Sequence, residues 1–283
     1  MSEPMILRAR VQAPLKEVHH ALTEPEALRA WLAEHAEVDL PDRYEFWGRY
    51  TPEGDAPHQR LLHADDHTLR FSWLLDGEET TTEIRLEEES ATSTVVMLSQ
   101  THFDIQEGLT GASIRGVLQT FWALAIANLV DHVEGRELSP KCDFTSTDMR
   151  AEVVIAAPMD AVYDSLVNSE KVSRWFGYPI EIEPYVGGRF AMGGFDKDPQ
   201  PAKVIDLVTG RSMSTDWGRY GVVAWKLEDT GGATRLTFVQ SGFDAAHPPH
   251  AGWAGWLSGL AELRRFHELG DWQPIWLDDQ AAG

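Results

Sequence analysis

The sequence predicts an α+β fold made of two tandem copies of one domain, each with an antiparallel sheet and one long C-terminal helix. Three observations lead to this prediction. The first is length, because 283 residues exceed the usual size of a single domain. The second is an internal repeat. The third is an apolar pattern that changes within each copy from helical spacing to strand spacing and back.

The repeat is clearest near the start of each copy. Residues 13–32 align without gaps to residues 157–176, and the alignment pairs two prolines, several apolar positions, and Trp31 with Trp175. A repeat unit of this length indicates a duplicated domain, because solenoid repeats are shorter. Trp31 and Trp175 are therefore expected to serve the scaffold of the two copies.

The repeat returns later in each copy, where TSTVVMLSQTHFD matches ATRLTFVQSGFD and pairs Gln100 with Gln240. The segment between the copies is polar and carries the proline expected near a domain boundary. These features predict a first domain at 1–138, a linker at 139–148 and a second domain at 149–283.

Each copy is predicted to begin with a strand and two short helices. The first strand covers residues 6–11, and its counterpart covers residues 151–156. Pro14 and Pro158 end these strands and suit the first turn of a helix. Apolar residues with helical spacing follow in the first copy, at Val18, Leu22, Leu28, Trp31 and Leu32.

A run of strands is predicted next, because the apolar pattern changes to a period of two. One face in the first copy carries Leu69, Phe71, Trp73 and Leu75, and the equivalent face in the second carries Met213, Thr215 and Trp217. Residues that favour hairpin turns stand at Asp65-Asp66, Asp76-Gly77 and Gly231-Gly232.

A long amphipathic helix is predicted to close each copy. Its buried positions recur every three or four residues, at Trp122, Ile126 and Leu129 and at Trp256, Leu260 and Leu263. The most apolar run of the chain, residues 121–130, is too short to span a bilayer, so no membrane insertion is expected.

Taken together, these motifs resemble the START-like (SRPBCC) superfamily, whose Bet v-type helix-grip fold wraps a curved antiparallel sheet around a long C-terminal helix. More narrowly, the chain resembles the family named after the C-terminal domain of the heat-shock ATPase activators. The second copy carries the resemblance in AAPMDAVYDSLVNSEKVSRWFG, VGGRF, GATRLTFVQSGFD and GWLSGLAEL, and the first in VQAPLKEVHHALTEPEALRAWL and TLRFSWLLDG. The resemblance implies a cavity between sheet and helix, often filled in relatives by lipids, polyketides or hormones. The first copy departs from the pattern where it has DRYEFWGRY and THFD.

Composition excludes several classes of function. The formal net charge of −21 argues against a nucleic-acid partner, because phosphate binding needs concentrated Lys and Arg. The one cysteine, Cys142, excludes an internal disulfide framework and a multi-thiolate zinc site. The N-terminus lacks the apolar segment of a signal peptide, so a cytoplasmic protein is expected. The sequence names no protein partner.

The sequence carries no motif typical of a catalytic nucleophile or of cofactor binding, so no catalytic residue, cofactor or metal is predicted. The glycines of VGGRFAMGG lie in a strand region without the following helix that binds a pyrophosphate. His63 and His67 flank Asp65-Asp66 and would suit a metal. A solvated hairpin turn explains them equally well and is preferred, because zinc needs three or four fixed ligands.

His102 is the candidate for chemistry. Strand alternation through Val96, Leu98 and Gln100 places it on the inward face, at a position where the family and the second copy have glycine (Gly242). Its imidazole could bond a ligand carbonyl or act as a base, since its ordinary pKa lies near neutrality. A core histidine satisfied by Gln100 or by a backbone carbonyl is the other explanation, and it is preferred.

The leading hypothesis is a non-enzymatic binding protein for an apolar small molecule that resembles a polyketide or a polyene. The hypothesis covers both compact and elongated ligands. Such a protein would serve natural-product biosynthesis, transport or self-resistance. The first alternative is a cyclase or dehydratase using His102, and the second is a chaperone-linked protein-interaction module. Inward aromatic residues would either be core or line the cavity. The predicted ligand-binding residues are Phe71, Trp73, Gln100, His102, Trp122, Met213, Trp217, Trp225, Phe238, Trp253 and Trp256.

Overall fold

A computed structural model of the chain describes residues 4–101 and 114–277. His102, the predicted chemical candidate, lies outside the described residues. The chain divides into two compact units, and each is described by itself. The first unit comprises the chain through Thr145 together with His250–Ser258 and the segment from Ile275 onward, and the second comprises Ser146–Pro249 and Gly259–Pro274. The predicted domain limits of 1–138 and 149–283 remain a prediction.

The elements of the first copy follow the predicted order of a strand, two short helices, a run of strands and a long helix. They are β1 (Met5–Val11), α1 (Leu15–Thr23), α2 (Pro25–Trp31), β2 (His35–Asp39), β3 (Arg43–Trp47), β4 (Gln59–Ala64), β5 (Thr68–Leu75), β6 (Glu78–Ser90), β7 (Ser93–Gln100) and α3 (Ile114–Val133).

The second copy repeats this order. Its elements are β8 (Met149–Ile155), α4 (Met159–Val167), α5 (Ser169–Phe176), β9 (Ile180–Ile182), β10 (Arg189–Met192), β11 (Ala202–Val208), β12 (Ser212–Asp216), a short 3-10 helix (Gly218–Tyr220), β13 (Val222–Asp229), β14 (Thr234–Ser241) and α6 (His250–Glu268).

Both sheets are antiparallel and curved, and the predicted fold class of two tandem helix-grip domains is confirmed. The first sheet has the strand order β1-β7-β6-β5-β4, with β2 and β3 forming a separate pair. The second sheet has the order β8-β14-β13-β12-β11-β10-β9. In the first unit, α3 contacts β1 and both short helices, so the long helix covers the inward face of the sheet. None of the helices in the described ranges has the length and apolar character that crossing a membrane requires.

The predicted hairpin turns are confirmed. Asp76 and Gly77 join β5 to β6 with φ angles of 50° and 74°. Gly231 and Gly232 join β13 to β14 with φ of 85° and 101°. Backbone at positive φ favours glycine, because a Cβ clashes there.

The turn between β4 and β5 is the region of the two histidines considered for a metal. Asp65 accepts hydrogen bonds from the backbone N–H groups of His67 and Thr68, and its other oxygen lies 2.9 Å from Nε2 of His63. These bonds lower the pKa of Asp65 to about 2. Within the described part of the chain, no group of three or more His, Cys, Asp or Glu side chains could hold a metal ion.

One predicted strand position is wrong. Trp217 was expected to continue the inward face of Met213 and Thr215, but β12 ends at Asp216. The side chain of Asp216 accepts from the N–H of Gly218 at 2.9 Å, and Gly218 has a φ of 61°. This local bond turns the chain away from strand geometry into the short 3-10 helix.

The residues of the predicted linker are anchored in the first unit through Lys141. Its Nζ donates to the carbonyl oxygens of Arg29, Ala30 and Ala33 at 2.7, 3.1 and 3.1 Å. The carbonyls of Arg29 and Ala30 lie in the last turn of α2, where a helix has unpaired acceptors and partial negative charge, and Ala33 follows the helix. Burial lowers the pKa of Lys141 to about 8. The lysine therefore joins the end of α2 to the chain that follows α3.

The paired tryptophans make the same hydrogen bond in both copies. Trp31 Nε1 donates to the carbonyl of Ala21 at 2.9 Å, and Trp175 Nε1 donates to the carbonyl of Ser165 at 2.8 Å. Both tryptophans are buried. Each bond fastens the second short helix of its copy to the first, which agrees with their predicted scaffold role.

We expect Trp31→Phe and Trp175→Phe each to lower the free energy of unfolding by about 2–3 kcal/mol, because a buried carbonyl loses its donor and the smaller ring leaves a void. Urea denaturation followed by far-UV circular dichroism measures the loss. Trp47→Phe, at a half-buried position on β3, is the control and should cost about 0.5 kcal/mol or less. Losses no larger than the control's would contradict the scaffold role.

Candidate functional site

Aromatic side chains of the first unit meet between the sheet and α3. Trp73 of β5 and Trp122 of α3 lie 6.0 Å apart between ring centroids, with their planes at 79°. Phe46 lies 5.2 Å from Trp73, and Phe121 lies 4.9 Å from Trp122. Edge-to-face contacts at these distances are favourable for aromatic pairs. Phe71, Trp73 and Trp122 were predicted to line a pocket, and here these fully buried rings pack against one another or against Phe46.

Gln100 lies at the centre of a buried polar network beside these rings. Its Oε1 accepts from Thr82 Oγ1 at 2.6 Å and from Trp122 Nε1 at 3.2 Å. Its Nε2 donates to Thr80 Oγ1 at 3.1 Å and to the carbonyl of Thr101 at 3.0 Å. A carboxamide offers two donors and one oxygen with two lone pairs, so the hydrogen-bonding capacity of Gln100 is filled within the first unit.

The inward face of the second sheet carries an apolar row across three strands. The register places Met213 of β12 opposite Trp225 of β13, and Trp225 opposite Phe238 of β14. All three predicted ligand-binding residues are buried. Tyr163 of α4 covers the row from one side, with its ring 5.9 Å from that of Trp225.

The next row toward the end of this sheet is polar. Thr215 lies opposite Val223, and Val223 lies opposite Gln240. Thr215 Oγ1 accepts from Trp217 Nε1 at 2.8 Å and donates to the carbonyl of Val223 at 3.3 Å. The indole of Trp217 thus folds back from the 3-10 helix toward the sheet, and its ring packs 5.4 Å from that of Phe190.

Gln240 differs from its counterpart Gln100 in its hydrogen bonds. It is 4% exposed, and its Nε2 donates to the carbonyl of Tyr220 at 2.9 Å. Its Oε1 is buried and has no hydrogen-bond partner in the part of the chain that the structure describes. The strand register explains the difference, because Thr82 lies opposite Gln100 whereas Val223 lies opposite Gln240. The second copy has a methyl group where the first has a donating hydroxyl.

The remaining predicted ligand-binding residues lie on α6 or beyond the described ranges. Trp253 is buried and Trp256 is half-buried, and both stand in the first nine residues of α6. His102 cannot be placed. The structure therefore gathers Phe71, Trp73, Gln100 and Trp122 in the first unit. It gathers Met213, Trp217, Trp225 and Phe238 in the second.

Sequence reasoning placed Thr215 on the inward face of the second unit but named neither Thr215 nor Gln240 as a ligand-binding residue. Gln240 was noticed only as a repeated residue. The signal that could have found Gln240 is the residue opposite the repeated glutamine, which is Thr82 in the first copy and Val223 in the second.

The lone thiol of the chain is not a candidate nucleophile. Cys142 is 2% exposed, and burial raises the pKa of its thiol. The thiolate is the reactive form of cysteine, so a raised pKa suppresses attack on a ligand. Tyr44, on the inward side of β3, is likewise kept neutral because burial raises its pKa.

Comparison with known proteins gives one family. The family described as Activator of Hsp90 ATPase homolog 1-like protein matches the chain twice, over residues 12–134 and over residues 156–266. The sequence matches no curated protein.

Solved structures of similar fold cover one or both copies. CalU16 from Micromonospora echinospora is 25% identical, covers 50% of this chain and 79% of its own, and has a TM-score of 0.37. DynU16, described as a protein of the dynemicin biosynthetic locus, is 17% identical, covers 94% of this chain and 100% of its own, and has a TM-score of 0.38. BexL, a di-domain ARO/CYC of the BE-7585A biosynthetic pathway, is 15% identical, covers 95% of this chain and 99% of its own, and has a TM-score of 0.36.

We expect Gln100→Met and Gln240→Met to differ strongly in stability. The first removes four side-chain hydrogen bonds and leaves buried partners unpaired, so it should cost about 3 kcal/mol or more. The second removes one hydrogen bond and one unsatisfied acceptor, so its cost should stay below about 1 kcal/mol. Thermal and urea unfolding of both variants measure the contrast, and equal losses would contradict it.

Cys142 should not react with a thiol reagent such as 5,5′-dithiobis(2-nitrobenzoate) at pH 8 while the chain is folded. One equivalent should be released once urea unfolds the first unit, because burial and not chemistry protects the thiol. Labelling within seconds under native conditions would show an accessible thiolate and contradict this reading. The unfolded chain is the internal control.

Proposed function

Because the chain belongs to the Activator of Hsp90 ATPase homolog 1-like family, which both of its copies match, we propose that it is a non-enzymatic binding protein for an apolar small molecule. The ligand is polyketide- or polyene-like and is held inside a helix-grip domain. The protein serves biosynthesis, transport or self-resistance for such a compound.

The observation that carries this proposal is the uncharged inward face of the strands. The buried charged side chains among the described residues are Asp131, Glu262, Arg264 and Arg265, and all four stand on the long helices α3 and α6. Every buried position of the described strands holds an uncharged side chain, in both units. The polar members are hydroxyl and carboxamide groups, among them Thr82, Gln100, Thr215 and Gln240. Acid–base catalysis needs a titratable group within reach of the reacting atom, whereas binding an apolar molecule needs apolar walls and few polar groups.

The energetics of binding also favour an apolar ligand. A flat ligand that buries roughly 300 Å² of apolar surface gains about 7 kcal/mol, at about 25 cal/mol per Å². Lost translation and rotation offset part of this gain. The rings of Trp225 and Phe238 add edge or stacking contacts to an aromatic or conjugated ligand. The outcome is reversible binding without a charged anchor.

Two other functions were drawn from the sequence. A cyclase or dehydratase would depend on His102 and would return a chemically altered ligand. A chaperone-linked module would bind a protein partner and would not need the inward aromatic faces. Ligand binding with recovery of the unaltered ligand separates the proposal from both.

Titration with linear polyenes and with hydroxylated anthraquinones should quench tryptophan fluorescence saturably. It should also raise the unfolding temperature by about 5 °C at a hundredfold excess over Kd. Mass spectrometry of the recovered ligand should show an unchanged mass. Lack of saturable quenching across the panel would overturn the proposal, and a changed mass would favour the enzyme.

Two variants test whether the ligand binds at the inward face of the second unit. Trp225→Leu removes a ring from the inward face of the second unit and should weaken binding about tenfold. Trp175→Phe is the matched control, since that tryptophan joins α5 to α4 and should leave affinity unchanged. Equal effects of the two would argue against a site on this face.

A further inference from the structure

We propose that the carboxamide oxygen of Gln240 accepts a hydrogen bond from the ligand, so that the ligand is an apolar molecule bearing a hydroxyl or N–H donor. This inference rests on the proposed function. It adds that the ligand carries a hydrogen-bond donor and that the second unit binds this donor. The carboxamide of the second unit meets the donor, whereas the equivalent carboxamide of the first unit is already filled.

The orientation of the Gln240 side chain is set by its neighbour. Nε2 donates to the carbonyl of Tyr220, and the reversed carboxamide would place two oxygens against each other. Trp217 and Gly221 hold that carbonyl in place, because the N–H of Trp217 donates to the carbonyl of Gly221 at 2.8 Å. Gly221 has a φ of 83°, and a Cβ there would lie 2.2 Å from the carbonyl oxygen of Ser241. Oε1 therefore faces the interior in a fixed direction.

No donor on the adjoining strands serves this oxygen. Met149 and Val223 lie opposite Gln240 on the two neighbouring strands, and neither carries a polar hydrogen. The hydroxyl of Thr215 donates to the carbonyl of Val223, and the indole N–H of Trp217 donates to Thr215 Oγ1. Buried acceptors without partners are rare in folded proteins because they forgo a bond that water would supply.

A trapped water is a poor occupant for this position. Ordered internal waters need two to four polar partners, and the residues opposite Gln240 on the two neighbouring strands, Met149 and Val223, have side chains that supply none. A ligand whose apolar body covers Met149 and Val223 while its hydroxyl meets Oε1 satisfies both requirements. The phenols and enols of aromatic polyketide-like compounds have this chemistry.

In the first copy, the side-chain oxygen of the equivalent glutamine already accepts two hydrogen bonds. Thr82 and Trp122 both donate to Gln100 Oε1, so an incoming hydroxyl finds no free lone pair there. The register makes Val223 the counterpart of Thr82. Substituting that one valine by threonine should therefore fill one of the two lone pairs of Gln240 Oε1, whereas both are filled on Gln100.

The test uses 2-naphthol and its methyl ether, 2-methoxynaphthalene, in which a methyl group replaces the hydroxyl hydrogen and removes the hydrogen-bond donor. Affinities are measured by quenching of tryptophan fluorescence, and the ratio of the two is the readout. The native protein should prefer 2-naphthol roughly 5- to 30-fold beyond the difference in octanol partition of the two probes. Gln240→Met removes the acceptor and should bring this preference to about one. Val223→Thr fills one of the two lone pairs and should lower the preference without abolishing it.

Thr82→Val is the matched control in the first unit. It frees one lone pair of Gln100 Oε1, which Trp122 still bonds, and should not lower the preference of the native protein. Loss of the preference in Thr82→Val but not in Gln240→Met would assign the donor contact to the first unit and overturn the inference. So would equal binding of the two probes by the native protein.

Failure of the proposed function gives a different result. In that case neither naphthalene probe, nor any polyene or anthraquinone of the panel, quenches saturably. Binding of both probes without a donor preference leaves the binding function standing and removes only the role of Gln240. Val223→Thr guards against misfolding, because its side chain keeps the volume of valine and should raise the unfolding temperature as it satisfies the acceptor.

Discussion

The antiparallel register of the strands that meet at the repeated glutamine is the constraint on which the interior of each unit depends. Pairing of β6 with β7 places Thr82 opposite Gln100, and pairing of β13 with β14 places Val223 opposite Gln240. A shift of one residue would turn every inward side chain outward. The register therefore decides which apolar rings cover the interior and which neighbour each carboxamide meets. The tryptophan bonds between the short helices then fasten the same scaffold in both copies.

Duplication allowed the two interiors to diverge on this common register. In the first copy, the glutamine stabilises the unit through four hydrogen bonds and lies beside a cluster of packed aromatic rings. The second keeps an acceptor unsatisfied, which costs stability in the free protein. Natural proteins commonly accept such a local cost where a ligand compensates it. One copy can then serve as a stable partner for another that is adapted to binding.

The sequence predicted the duplicated fold well because the repeat and the apolar periodicity are local signals. It also predicted the inward faces of Phe71 and Trp73 and of Met213 and Trp225. It could not predict that Trp122 bonds Gln100, because that contact joins a helix to a strand through tertiary packing. The break of β12 before Trp217 was missed because a side-chain bond from Asp216 overrides strand periodicity.

The chemistry of Gln240 suits reversible binding better than a charged residue would. A buried carboxylate at the same place would attract a donor more strongly, but its own desolvation would cost several kcal/mol and would shift its pKa upward until it was protonated. A neutral carboxamide carries a smaller cost and cannot abstract the proton of the hydroxyl that it binds. Under the proposed function, a ligand hydroxyl would thus be bound without loss of its proton. The buried positions of the described strands hold only uncharged side chains, and such faces suit the binding of an apolar molecule.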